Sequence, residues 1–212
     1  MKILNLYAGI GGNRKSWHGH EVTAIEYDAD IARVYAHNFP EDTVIVCDAH
    51  QYLLDHYKEF DFIWASPPCP THSRLRIGLP ENVVYPDMTL YQEIILLQYW
   101  FKGSYCVENV IPYYDALIAP TVKLHRHVFW ANFNIANKEF EVFRACDMIG
   151  ERKYLEDRYG FDFNCDVKIE KRKVLRNCVM PEVGAHILEA CVNAEAARAP
   201  INMFEDFDLK VE

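Results

Sequence analysis

The chain predicts an α/β fold built on a doubly wound, mostly parallel sheet, and three observations lead there. Short apolar runs alternate with helical patterns through three successive repeats, no hairpin signal interrupts them, and a glycine-rich turn follows the first run. At 212 residues, 50% hydrophobic and 25% charged, the chain has the make-up of a globular protein with one good-sized core. A net charge of −9 argues against a protein that coats nucleic acid but leaves room for local basic patches. Seven cysteines form no C-x-x-C pair, so reduced thiols in a cytoplasmic protein are expected. No apolar segment approaches the ~18 residues of a membrane span and no signal-peptide pattern opens the chain, so neither insertion nor export is expected.

The first strand is expected over Lys2 to Tyr7 and stops at Ala8-Gly9-Ile10-Gly11-Gly12, with a helix beginning at Asn13. Strand, glycine turn and helix start let a ligand approach backbone N–H groups, although a plain tight turn has the same letters. A second strand, Glu21 to Ile25, ends at Glu26, and a helix follows from Asp28 to Asn38. A carboxylate at that strand end can accept both hydroxyls of a ribose, or be solvated surface. Thr43 to Cys47 gives a third strand, leading through Asp48-Ala49 into a helix that ends near Tyr57.

The fourth strand, Phe60 to Ala65, delivers Ser66-Pro67-Pro68-Cys69-Pro70. Proline ends the strand because it has no N–H for the ladder, and it leaves Cys69 displayed beyond the carboxyl end of the sheet. A thiol there is a candidate nucleophile; the alternative is a small buried hydrophobe. From Pro70 to Asp87 the sequence has no period and carries Thr71, His72, Ser73, Arg74 and Arg76, which reads as a functional lid or a disordered segment, with arginines that meet phosphate or water.

Met88 to Phe101 is a core helix by its spacing, and Ser104 to Val107 is a fifth strand ending at Glu108-Asn109-Val110. Glu108 therefore stands on the same sheet edge as Cys69, where enclosure can raise its pKa enough for proton donation. Pro120 to Phe133 reads as two short strands with Lys123, His125, Arg126 and His127 between them; no cysteine or acid stands at ligand spacing to make His125-x-His127 a metal site. The periodicity then weakens and the charge is acidic up to Asp166. It reverses at Lys168 to Arg176, where Lys171, Arg172 and Lys173 belong to a strip that faces phosphate or water. Asn177-Cys178-Val179 turns the chain into a last helix, Glu182 to Arg198, with Val183, Ile187, Leu188, Cys191 and Val192 on one face. The tail mixes aromatics and acids at Met203 to Asp208, a docking segment or a frayed end.

Taken together, these motifs resemble the DNA (cytosine-5) methyltransferase family, in family order, in a compact form similar to bacteriophage enzymes. Tyr7, Gly9, Gly11 and Gly12 resemble its turn for S-adenosylmethionine; Glu26 and Tyr27 resemble its ribose-holding and adenine-stacking pair; Asp48, with Ala49, resembles its adenine contact. Pro68-Cys69 with Ser73 resembles the nucleophile motif, Glu108-Asn109-Val110 matches the Glu-Asn-Val motif, and Asn177 with Val179 resembles a late cofactor-side segment. Arg126 falls where the family has an arginine reaching the target cytosine, and His127 is the other residue that aligns there. The resemblance covers roughly residues 1 to 133 and 174 to 198. It implies a Rossmann-like, S-adenosylmethionine-dependent methyltransferase sheet over 1–133, a short target-recognition region over 134–173, and a terminal helix and tail over 174–212.

The implied reaction begins with Cys69 adding to C6 of a flipped cytosine, because C5 is otherwise a poor nucleophile. Glu108 would relieve charge at N3, Arg126 would hold the O2 side, and C5 would take the methyl group. Ser73, Arg74, Arg76, His127, Lys171, Arg172 and Lys173 would contact the nucleic acid, expected to be double-stranded DNA met by a monomer, with a protein partner as one route to target recognition. Two residues depart from the pattern: Pro70 stands where the family has glutamine, and Arg176 replaces the glycine before Asn177. The short 134–173 region implies a short target. Two other readings share these residues, a tRNA cytosine-5 methyltransferase and a silent regulatory binder, although a silent copy has no reason to keep both Cys69 and Glu108.

Overall fold

The computed structural model describes residues 1–74, 84–141 and 148–198. Five parallel strands form the body of one sheet: β1 (Lys2–Leu6), β2 (Glu21–Glu26), β3 (Thr43–Val46), β4 (Phe62–Ala65) and β5 (Ser104–Val110). The hairpin of β6 (Val122–Leu124) and β7 (His127–Ala131) adds two antiparallel strands, giving the order β3-β2-β1-β4-β5-β7-β6. The chain moves outward from β1 to β3 and then crosses back to β4, so the connections diverge between β1 and β4. In an open α/β sheet that divergence leaves a crevice at the carboxyl ends of the strands.

Alternation along the strands builds a core on each side. Ile3 and Trp64 enter one buried cluster, while Leu4, Leu6, Ile63 and Ala65 enter the other. Helices α1 (Ala29–Asn38) and α6 (Pro181–Arg198) cover the first face; α2 (Ala49–His56) and α3 (Thr89–Trp100) cover the second. Local chemistry fixes the helix starts. Asp28 accepts from the N–H groups of Asp30 and Ile31 to begin α1, and Asp48 accepts from that of Gln51 to begin α2.

The structure revises several expectations. Asn13 opens only one turn of 3₁₀ helix, Asn13–Ser16. Helix α4 (Met148–Tyr159) and helix α5 (Lys171–Asn177) have no counterpart in the sequence reading, and α5 runs across the 173/174 boundary. Ile135, Tyr159 and Phe161 from the expected recognition region pack in the same core as Trp17 and Phe39. On α6, Val183, Ile187, Leu188 and Cys191 are buried but Val192 is 40% exposed, because it lies off the face that meets the sheet. Lys123 lies within β6 and His127 opens β7, so the turn between them is His125 and Arg126 alone, with His125 at φ +52°. Arg76, half of the expected lid (residues 75–83) and the tail after Arg198 lie outside the described residues. Among the described residues no helix is long and apolar enough to cross a membrane.

The last helix seats on the first turn by backbone contact. A Cβ on Gly184 would stand 2.2 Å from the carbonyl oxygen of Asn13, and the indole N–H of Trp17 donates to the Gly184 carbonyl at 3.2 Å. Beside this contact, buried Arg14 pairs with the buried carboxylate of Asp42 through two bonds of 2.8 Å, and the Tyr35 hydroxyl donates to the same carboxylate at 2.7 Å. Removing one member of a buried ion pair strands the other. Asp42→Ala is therefore expected to lower stability by about 3 kcal/mol, read as a fall in the urea midpoint at unchanged slope.

Candidate active site

A cleft of about 660 Å³ opens where β1, β4 and β5 end. Its walls bring together Tyr7, Gly9, Gly12, Glu26, Pro68, Cys69, Ser73, Glu108, Arg126, His127, Arg172, Lys173, Asn177 and Val179. Six expected residues stand elsewhere among those described. Gly11 is covered by Tyr35 and Phe39, and Tyr27 is 78% exposed beside Glu26. Asp48 caps α2, Ala49 is buried in the core, Arg74 donates to the Pro112 carbonyl, and Lys171 lies over the Phe163 ring.

The cofactor side is built from backbone. Tyr7 takes φ +56° to end β1, a conformation uncommon for a residue with a side chain, and its hydroxyl donates to buried Glu93 on α3. His50 lies 3.0 Å from the same carboxylate, so α2, α3 and the turn share one anchor. Burial next to Glu93 pushes the Tyr7 phenol far above its ordinary value, while the Glu93 carboxylate raises His50. Glu26 accepts from the N–H groups of Gly9 and Asp28, both at 2.9 Å, and so stands fixed at the cleft edge. The glycine turn, this carboxylate and the apolar wall of Ile10, Ile31 and Val179 fit a nucleoside that carries an amino-acid tail.

On the other side, the Pro67-Pro68 turn carries Cys69 past the end of β4. The Cys69 carbonyl accepts from the N–H groups of His72 at 2.9 Å and Ser73 at 3.1 Å, which folds the next residues into a tight turn. Asn109 donates from its side chain to the Pro67 carbonyl at 2.9 Å, locking the cysteine loop to β5. The thiol is half-buried. Burial raises its pKa, the Glu108 carboxylate raises it further, and Arg126 pulls it down.

Glu108 is 7% exposed, and burial lifts its pKa to about 7 against the opposing pull of the Ser66 hydroxyl and Arg126. His127 Nε2 lies 3.4 Å from Glu108, but burial together with Arg126 and His125 lowers His127 to about 3. The pair is therefore a carboxyl group beside a neutral imidazole, not an ion pair. Sequence reasoning missed Glu93, His50 and Ser66. Glu93 lies in an apolar helical run where only its type, an acid on a buried face, gave a signal.

Gly12 sets the width of the cleft. A Cβ there would stand 2.5 Å from the Val179 carbonyl oxygen and 2.6 Å from Cys178 Cβ, so both chains meet flush. Gly12→Ala is expected to force residues 178 and 179 outward. Calorimetric binding of S-adenosylmethionine should be lost or weakened at least tenfold, with the far-ultraviolet circular dichroism of the fold retained.

Residues 1–95 match the family model described as C-5 cytosine-specific DNA methylase. The chain is 29% identical over 152 residues to a tRNA (cytosine(38)-C(5))-methyltransferase of Spodoptera frugiperda, an alignment that takes in 68% of this chain and 44% of that protein. It is 30% identical over 102 residues to the mouse protein of the same name, covering 45% of this chain and 24% of that one. The chain thus spans less than half the length of these curated relatives. Among solved structures, a methyltransferase of Entamoeba histolytica, EhMeth, superimposes with a TM-score of 0.59 at 11% identity over 92% of this chain and 98% of that one, a likeness of fold. The sheet thus shares the fold of that methyltransferase, and over its first 95 residues the chain carries the pattern of the C-5 cytosine-specific DNA methylases.

Proposed function

We propose that the protein transfers a methyl group from S-adenosylmethionine to C5 of a cytosine in DNA, with Cys69 as the nucleophile. The observation that carries this reading is the meeting of Cys69, Glu108 and the glycine turn in one cleft. Bound cofactor supplies an electrophilic methyl group. The chain's own residues do the rest. The Cys69 thiolate forms a bond to C6 and moves the ring's electron pair to C5, while the Glu108 carboxyl gives its proton to N3. Arg126 faces the O2 side. After C5 is methylated, a water molecule takes the C5 proton, the C–H electron pair forms the C5–C6 double bond, the sulfur leaves with its bonding pair as the Cys69 thiolate, and N3 returns its proton to Glu108. A base stacked in a duplex cannot reach this cleft, so the target must be extruded at a cost of a few kcal/mol. Ser73 and Lys173 on the cleft wall, with Arg74 next to Ser73 in the chain, would meet the strand.

A tRNA substrate is the second reading, favoured by the similarity to two tRNA (cytosine(38)-C(5))-methyltransferases. Transfer of labelled methyl to matched DNA and tRNA separates the two: label on DNA alone supports the first reading, and label on tRNA alone replaces it. With either polymer, Cys69→Ser should abolish transfer while cofactor binding persists, and 5-fluorocytosine in the substrate should trap the wild-type chain covalently. Retained turnover in the serine variant would sink the mechanism.

The two pKa directions also dictate a pH profile. The reaction needs Cys69 deprotonated and Glu108 protonated, and the thiol titrates above its ordinary value while Glu108 titrates near 7. Below pH 7 the rate should rise as thiolate accumulates. Above 7 the gain in thiolate is offset by loss of the carboxyl proton, and the curve flattens. Glu108→Gln should be slower by about 10²-fold and should lack the bend near pH 7 in single-turnover rates.

A further inference from the structure

Arg126 is expected at the target base, yet its visible bonds run elsewhere. Its Nη2 donates to the carbonyl oxygens of Arg176 and Cys178, the latter at 3.2 Å. These carbonyls close helix α5, where the last C=O groups lack helical partners and a cation is favoured. Residues 176–178 lead into Val179, and Cys178 and Val179 supply the atoms packed flush on Gly12 of the cofactor turn. Cys178 is further tied to α5, its thiol donating to the Val174 carbonyl and its N–H to that of Leu175, both at 3.3 Å. A continuous chain of contacts therefore runs from the hairpin turn to the glycine turn.

We infer that Arg126 is a positioning residue for the cofactor site: it clamps segment 176–178 onto Gly12 and so couples the target-base side of the cleft to the cofactor side. The inference rests on the methyltransferase reading and deepens it. One nitrogen of the guanidinium makes both carbonyl bonds, which leaves the planar fork able to present another edge to the cleft. Anything that draws Arg126 toward a base then loads or slackens the clamp, and by linkage the cofactor must feel it in its own affinity. A lysine keeps the charge, but its nitrogen stands one atom closer to the backbone than Nη2 and it has no second nitrogen to present to the cleft.

Calorimetric titration of S-adenosylhomocysteine into the full chain, without nucleic acid, tests this in wild type, Arg126→Lys and Arg126→Gln. Both variants should bind about fivefold more weakly than wild type. Affinity retained by Arg126→Lys and changed only in Arg126→Gln would show that charge alone matters and would overturn the clamp, as would equal binding by all three. Absence of binding by wild type would overturn the cofactor reading itself and the clamp with it. Hydrogen exchange on the wild-type chain gives a measurement that no misfolded variant can confuse. Saturating S-adenosylhomocysteine should slow exchange at residues 174–180, and unchanged exchange there would also overturn the clamp.

Discussion

Everything at the carboxyl edge of the sheet depends on the close approach of two backbones, residues 12–13 and residues 178–184. Gly12 lies against Cys178 and Val179, and Gly184 lies against Asn13, with no room for a Cβ at either point. Distant parts of the chain meet here, and the contact turns an open βαβ edge into a closed cleft. Without it, α6 would have no seat and the glycine turn would have solvent behind it. The contact is steric and short-ranged, so small displacements have large consequences. It also explains why the anchors nearby are polar and redundant: Trp17 to the Gly184 carbonyl on one side, and the Arg14, Asp42 and Tyr35 cluster on the other.

A second constraint is electrostatic. The cleft encloses one thiol and one carboxyl whose pKa values burial pushes in the same direction, upward. For Glu108 this is useful, since a proton donor near neutral pH has been made from an acid. For Cys69 it is an obstacle, since the thiolate is the reactive form. Arg126 opposes both shifts and is the positive charge near both groups. His127 cannot help, because the same arginine and its own burial keep it neutral. A nucleic acid substrate that seals the cleft would deepen the burial. The proposed chemistry would then rely on Arg126 remaining close, where its bonds to the carbonyls of Arg176 and Cys178 hold it.

The parallel sheet and the placement of Cys69 and Glu108 were legible because they rest on local signals: apolar runs, glycine turns and prolines that end strands. Helices α4 and α5 were not. In α4 the residues that hold the helix are charged, with Arg158 reaching Glu141 and Glu182, and Glu151 reaching across to α5. Such pairing leaves no apolar period to read. Glu93 was hidden for the opposite reason, a single acid within an apolar face whose partners, Tyr7 and His50, lie far away in sequence. The bonds from Arg126 to main-chain carbonyls leave no trace in sequence at all, because any residue supplies a carbonyl.

The same pairing changes the meaning of the basic run from Lys168 to Arg176. As sequence it offers five cations against one glutamate. In the fold, Glu151 takes up both Arg172 and Arg176, at 2.8 and 3.3 Å, and Lys171 lies over the Phe163 ring. Arg172, Lys173 and Arg176 of α5 all line the cleft, and Lys173 and Arg176 are exposed. A strand of nucleic acid would therefore meet a surface whose arginines are already partnered, and each phosphate contact there would compete with Glu151. Competition of this kind weakens binding to any polyanion but penalises a poorly placed one most, since only a phosphate in good register replaces both carboxylate bonds. With an overall charge of −9 repelling such a polymer elsewhere, the cleft would gain selectivity for position at the expense of general affinity.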